Sequence, residues 1–334
     1  MTQPEAQSPE PKVNAHAWWL RPVVSLVLYV LIFYYWVDLG TTLTLLRSSD
    51  FRFVFLGVLL YCAGQLASAY RWLLLLKPVR LTSTYARLAG TYFIGMFFSI
   101  FLPTIVGGDA VKAILLSRET GAPARSTISV FMDRNVGLFA LLAIAIFAAW
   151  WAPPLERFRV SLFVLTCAAG LVYLAANVAL MNPRAYGMVD RLIALTPLAG
   201  IRHRASSLYE ALVPYRNHLV TLAGALALSF LHQAVVIGVV FLNARALGQS
   251  FPISALAVFV PLVALAGMVP FSMNGMGVRD AMYVLLFGQL GASEELALSL
   301  ALLHLAVTFL ASLPGGIVYA LQKTPARQEG AEVP

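Results

Sequence analysis

LPTIVGGDAVKA (residues 102–113) and VPFSMNGMGVRDA (residues 269–281) are the stretches on which the fold turns. Each sits inside a longer apolar region, roughly 88–116 and 253–290, and breaks it with Pro and Gly beside charged residues. Around them lie six uninterrupted apolar segments, roughly 22–38, 53–76, 128–151, 160–181, 219–242 and 296–321. A helix crossing a bilayer needs about 20 mostly apolar residues. The chain is 60% hydrophobic and 11% charged, against about 25% charged in a soluble domain. The fold class that follows is an all-α polytopic membrane protein. What remains is whether the two broken regions cross the membrane or turn back inside it.

Lys and Arg decide between these. With both broken regions as re-entrant hairpins and a cytoplasmic N-terminus, 14 basic residues from Lys12 to Arg327 fall on the cytoplasmic side. Five fall outside: Arg47, Arg52, Arg157, Arg159 and Arg245. With both regions as single crossings the count evens to 10 and 9. Positive charge collects on the cytoplasmic side of membrane proteins, so the hairpin arrangement is expected. Each half then reads span, span, hairpin, span in opposite orientation, an inverted-topology repeat of the kind common in secondary transporters.

The predicted boundaries are a disordered tail over 1–19, a membrane domain over 20–322 with halves 20–155 and 156–322, and a polar tail over 323–334. The acidic, Pro-rich start is unlike a cleavable signal peptide and too polar to bury a core. A net charge of +8 is explained by topology, so no nucleic-acid partner is expected. Cys62 and Cys167 fall singly in apolar runs and read as packing residues. No metal-ligand spacing or nucleotide loop is recognisable, and no cofactor is expected.

Non-helical backbone survives at membrane depth only where protein or a water-filled cavity covers it, so the two loops are expected to face inward. Each precedes a short helix whose first amides are free, an arrangement that suits an anion. Gly107 and Gly108 in the first loop, and Gly275 and Gly277 in the second, would allow a phosphate close to the backbone. The charged residues fall in pairs: Asp109 with Lys112, Asp133 with Arg134, Arg279 with Asp280. Charge near the bilayer centre costs roughly 2.5–3.5 kcal/mol on insertion scales, which points to a role at a site or as structural salt bridges. As a site, Lys112, Arg134 and Arg279 would hold a phosphate, with Asp109, Asp133 and Asp280 as charge partners. Arg71 and Trp72 read as a snorkelling cation with an interface anchor, with Arg71 a further headgroup contact. His232 and His304 read as interhelical hydrogen-bonding groups.

The run LPTIVGGDAVKAILLSRETGAPARSTISVFMDRNVGLFALL resembles the lysylphosphatidylglycerol synthase transmembrane-region family, also called the flippase-like domain family. VPFSMNGMGVRDAMYVLLFGQLGAS and LASLPGGIVYAL are similar to its second loop and closing Pro–Gly–Gly helix. The likeness covers most of 20–322. Lys112 stands where the family commonly has Arg, and Asp280 where Glu is commoner. Bifunctional members carry a following aminoacyl-transferase domain. None is seen here, so a non-enzymatic protein that does not make aminoacylated lipid is expected.

The resemblance implies movement of a phospholipid or polyprenyl-phosphate-linked glycan between the leaflets of a bacterial inner membrane, with both termini cytoplasmic. Envelope-lipid biosynthesis enzymes are the partners it suggests. Two readings from other classes stay open: an intramembrane enzyme on a lipid phosphate, and a scaffold or regulator of envelope-lipid synthesis.

Overall fold

A computed structural model of the chain describes residues 38–102, 107–151, 159–182, 184, 187–188, 199–268 and 275–321. The expected first span at 22–38, both tails and most of each Pro–Gly loop lie outside the described residues, apart from Asp38. The described segments form α1 (Leu39–Arg47), α2 (Phe51–Leu76), α3 (Tyr85–Phe101), α4 (Gly107–Thr120), α5 (Pro123–Trp151) and α6 (Arg159–Met181). They continue as α7 (Ala199–Leu212), a 3-10 turn over Val213–Asn217, α8 (Leu219–Ala246), α9 (Ile253–Gly267), α10 (Val278–Gly288) and α11 (Glu294–Leu321). The fold is all-α.

Five of these helices are long and apolar enough to cross a bilayer: α2, α5, α6, α8 and α11. They match the expected spans one for one outside 22–38. The broken regions behave differently. α3 and α4 have 17 and 14 residues, α9 and α10 have 15 and 11. At 1.5 Å per residue each is about 17–26 Å long, short of the roughly 30 Å hydrocarbon core. Within each pair the two helices pack on each other, as hairpins do.

Starts are set locally. Asp50 caps α2 by accepting from the Arg52 amide at 2.9 Å. Its own amide donates to the Ala246 carbonyl at 2.9 Å, which ties the start of α2 to the end of α8. At the other end of α2, the Tyr215 hydroxyl donates to the Leu75 carbonyl at 2.7 Å. Tyr215 is fully buried, and burial pushes its phenol well above the usual value.

The packing repeats when the two halves are exchanged. α2 packs on α8. α3 packs on α11 as α9 packs on α5, and α4 packs on α5 as α10 packs on α11. α2 meets α11 as α8 meets α5, and even short α1 lies on α11 as α7 lies on α5. This is the pattern an internal repeat produces, with each hairpin clasped by the closing span of the other half. Gly315 makes one such clasp: a Cβ there would stand 2.0 Å from the Phe93 carbonyl oxygen, so α11 and α3 touch backbone to backbone.

The outward faces stay apolar. Val160, Leu165, Leu171 and Val172 on α6 are each more than 60% exposed. Such a surface suits a helix that faces lipid.

Candidate functional site

The charged residues of the first half form one chain of ion pairs. Arg71 Nε bonds Asp133 Oδ1 at 2.8 Å, and Lys112 Nζ lies 3.6 Å from Asp133 Oδ2. Lys112 Nζ also bonds Asp109 Oδ1 at 2.8 Å, and Arg134 Nε bonds Asp109 Oδ2. The order is Arg71–Asp133–Lys112–Asp109–Arg134: three cations against two carboxylates. The expected pair Asp109–Lys112 is present. The expected pair Asp133–Arg134 is not. Successive helix residues point about 100° apart, so Asp133 turns to α2 while Arg134 reaches Asp109 on α4.

Arg71 corrects a second expectation. It is 4% exposed and does not snorkel. Its Nη1 donates to Ser229 Oγ at 2.9 Å and its Nη2 to the Tyr92 hydroxyl at 3.3 Å, while that hydroxyl donates to Asp133 Oδ2 at 3.1 Å. One guanidinium therefore ties α2 to α3, α5 and α8. Trp72 is likewise no interface anchor. Fully buried, it donates its indole N–H to Ser129 Oγ at 3.1 Å.

Lys112 is enclosed. Besides its two carboxylates it faces the Tyr92 ring at 4.2 Å and the Trp72 ring at 5.6 Å. Its side chain is 6% exposed, whereas that of Arg134 is 49% exposed. The accessible cation of the cluster is Arg134, and among the described residues its only ion-pair partner is Asp109.

All five charged residues line one cavity of about 320 Å³ at the centre of the helices. That is near the lower end of small-ligand sites, roomy enough for a headgroup and too small for acyl chains. Tyr61, Gln65, His232 and Thr308 add polar groups to its wall, and Ala264 of α9 and Met268 just after that helix complete the lining. Sequence reading missed Tyr61, Tyr92 and Ser229, since a lone hydroxyl in an apolar run carries no signal of its own. His232 fits its expectation, with Nδ1 3.1 Å from Ser68 Oγ on α2.

The glycines of the first loop serve helix contact. α4 runs from Gly107, so Gly107 and Gly108 lie in its first turn. A Cβ on Gly108 would lie 1.9 Å from Ser99 Oγ and 2.1 Å from the Gly95 carbonyl oxygen, so that side of Gly108 is filled by α3. Gly108 does line the cavity; Gly107 is buried beside it.

The second hairpin does not bring its charges to this cavity. Arg279 and Asp280 pair with each other, Nη2 to Oδ1 at 3.3 Å, and neither lines it. Asp280 is fully buried and its other oxygen accepts the Gly277 amide at 3.0 Å, so a carboxylate of the chain itself occupies that helix start. Gly275 and Gly277 have φ of +74° and +85°, which the turn requires.

Residues 18–315 match the family described as lysylphosphatidylglycerol synthase TM region. The chain belongs to this family. It is 25% identical over 319 residues to a UPF0104 membrane protein of Pyrococcus horikoshii, covering 87% of this chain and 93% of that one. To a UPF0104 membrane protein of Methanothermobacter thermautotrophicus it is 22% identical over 321 residues, covering 89% and 90%. The chain is thus similar along nearly its whole length to archaeal membrane proteins.

Proposed function

We propose that this member of the family moves a phospholipid or lipid-linked glycan between leaflets, with the lipid phosphate seated against Arg134 in the central cavity. The observation that carries this is the charge balance. Three cations and two carboxylates leave one positive charge in excess at the cavity, and a phosphodiester monoanion would neutralise it. Arg134 suits the task because its guanidinium fork binds phosphate oxygens bidentately. Acyl chains would remain in the bilayer while the headgroup passes between the hairpins.

A transporter fits better than an enzyme. Each carboxylate in the cavity has both oxygens engaged by cations, so neither is free to reach a reacting proton as a general base. The positive-inside distribution of Lys and Arg supports a cytoplasmic membrane with both termini cytoplasmic.

The test is a flipping assay on the purified protein in liposomes. Headgroup-labelled phosphatidylglycerol, phosphatidylethanolamine and a polyprenyl-linked sugar are each exposed to a membrane-impermeant quencher. Protein-dependent loss of the inner-leaflet signal for one lipid, removed by Arg134→Gln, is expected. Retention of that signal for all three, with and without a proton gradient, would sink the transport reading.

A further inference from the structure

Exchange of the halves carries α4 onto α10 and α5 onto α11. The first cavity, walled by α4 and α5, therefore has a counterpart position between α10 and α11. Three observations fall there. Arg279 and Asp280 sit on α10, as Asp109 and Lys112 sit on α4. His304 sits ten residues after the first residue of α11, just as Asp133 sits ten after the first of α5. His304 Nδ1 is buried and has no hydrogen-bond partner among the described residues. A buried polar atom left unpaired costs about 1–3 kcal/mol, which singles it out as a group able to bind a polar ligand.

The counterpart is closed by aromatic packing. Tyr283 stacks on Phe287 at 5.3 Å, and Phe287 is also met by Phe251 and Phe259. Tyr283 and Phe287 are both buried. The closed side still touches the open one, since the Tyr61 ring lies 6.4 Å from the His304 ring while Tyr61 lines the first cavity. Thr308, also on that wall, donates to the His304 carbonyl at 2.8 Å.

We propose that the second hairpin holds a second station for a phosphate anion, built from Arg279 and His304, which opens to the opposite membrane face when the first cavity closes. The inference rests on the transport reading and adds the second half of its route. In the closed state Asp280 neutralises Arg279. On opening, the phosphate takes the place of one Asp280 contact and accepts from His304. Equivalent halves that exchange open and closed forms give alternating access without a new fold.

Thiol accessibility tests this without knowledge of the cargo. In a background with Cys62→Ala and Cys167→Ala, Leu138→Cys reports the first cavity, and His304→Cys and Ala301→Cys report the second. Each is treated with a membrane-impermeant anionic methanethiosulfonate in right-side-out and in inside-out vesicles. The expected result is labelling of position 138 from one face and of 304 or 301 from the other. Labelling at position 301, where His304 is intact, should slow about fivefold or more with dihexanoyl phosphatidylglycerol or inorganic phosphate, and Arg279→Gln should abolish the slowing. Slowing by the lipid alone marks a lipid phosphate as occupant; equal slowing by both marks free phosphate. Labelling of all positions from one face, no labelling of 304 and 301 from either face, or labelling that neither anion slows would each overturn the second station. Ala301→Cys adds one sulfur atom, so it keeps the test open when His304→Cys fails to fold. Opposite-face labelling with no lipid movement in liposomes would strike the transport reading and leave the station standing.

Discussion

The two hairpins have the same build and opposite electrostatics. α3–α4 meets a five-membered ion chain with one cation in excess and an open cavity. α9–α10 carries the Arg279–Asp280 pair, with Tyr283 and Phe287 stacked beside it on the same helix. Both replace a crossing helix by two short ones, so broken backbone alone does not make a site. What separates them is the neighbour. α5 supplies Asp133 and Arg134 to the first hairpin, whereas α11 places His304 beside the second. A carboxylate shared between cations also rigidifies, because each cation fixes one of its oxygens.

Removing Asp133 should give the largest difference between the two sides. Asp133→Ala strands Arg71 as an uncompensated buried charge and leaves Lys112 with Asp109 alone, at a cost of about 3–5 kcal/mol. The expected outcome is loss of monodisperse protein in detergent, or a large fall in the thermal unfolding midpoint. Asp280→Asn keeps the shape and one acceptor for the Gly277 amide, so its fall should be the smaller. A larger loss from Asp280→Asn would reverse the ranking of the hairpins.

Gly108→Val comes next. Its side chain would have to displace Ser99 and the Gly95 backbone, and overpacking of this kind costs about 1–3 kcal/mol or more. α4 should separate from α3 and lipid movement should fall with stability, both readable on one preparation. Arg134→Gln is expected to do the reverse: little change in unfolding midpoint, because the side chain is half exposed, with at least a tenfold loss of flipping. That split between folding and transport is what distinguishes Arg134 from Lys112. Lys112→Gln should lower both, since it leaves Asp109 and Asp133 each short of one cation. The smallest effect is expected from Tyr215→Phe, which deletes the bond to the Leu75 carbonyl for about 1 kcal/mol. It should leave flipping unchanged and so measure the cost of an ordinary polar contact away from both hairpins.

Much of this architecture was legible. Spans announce themselves by composition, and Pro–Gly breaks announce where a helix fails, so α2, α5, α6, α8, α11 and both hairpins follow from the text of the chain. Membership of the family was legible too, from the GGD loop and the Asp–Arg pair. The partners within the site were not. Neighbouring charges in sequence look paired, yet Asp133 and Arg134 point to different helices, and only the crossing of α4, α5 and α2 decides who meets whom. Arg71 was misread because it lies close to the end of its span. A usable signal stood beside it: Gly64, Ser68, Arg71 and Leu75 recur at helical spacing, a face of mostly small and polar residues that lipid would not tolerate. His304 in an apolar helix gave no hint of the position it shares with Asp133. That equivalence became visible only from the exchange of packing partners.

The surplus positive charge beside Arg134 has an electrical consequence. On the proposed transport reading, the empty five-residue ion chain holds a net unit charge within the field of an energised membrane; loaded with a monoanion, it would hold none. Moving one elementary charge through 100 mV involves about 2.3 kcal/mol. Any part of the working cycle that shifts the unoccupied cluster along the membrane normal therefore feels the voltage, and the same shift with cargo aboard does not. The resting potential would thus act as a bias on the return of the empty carrier, setting the pace of turnover while leaving the loaded step untouched.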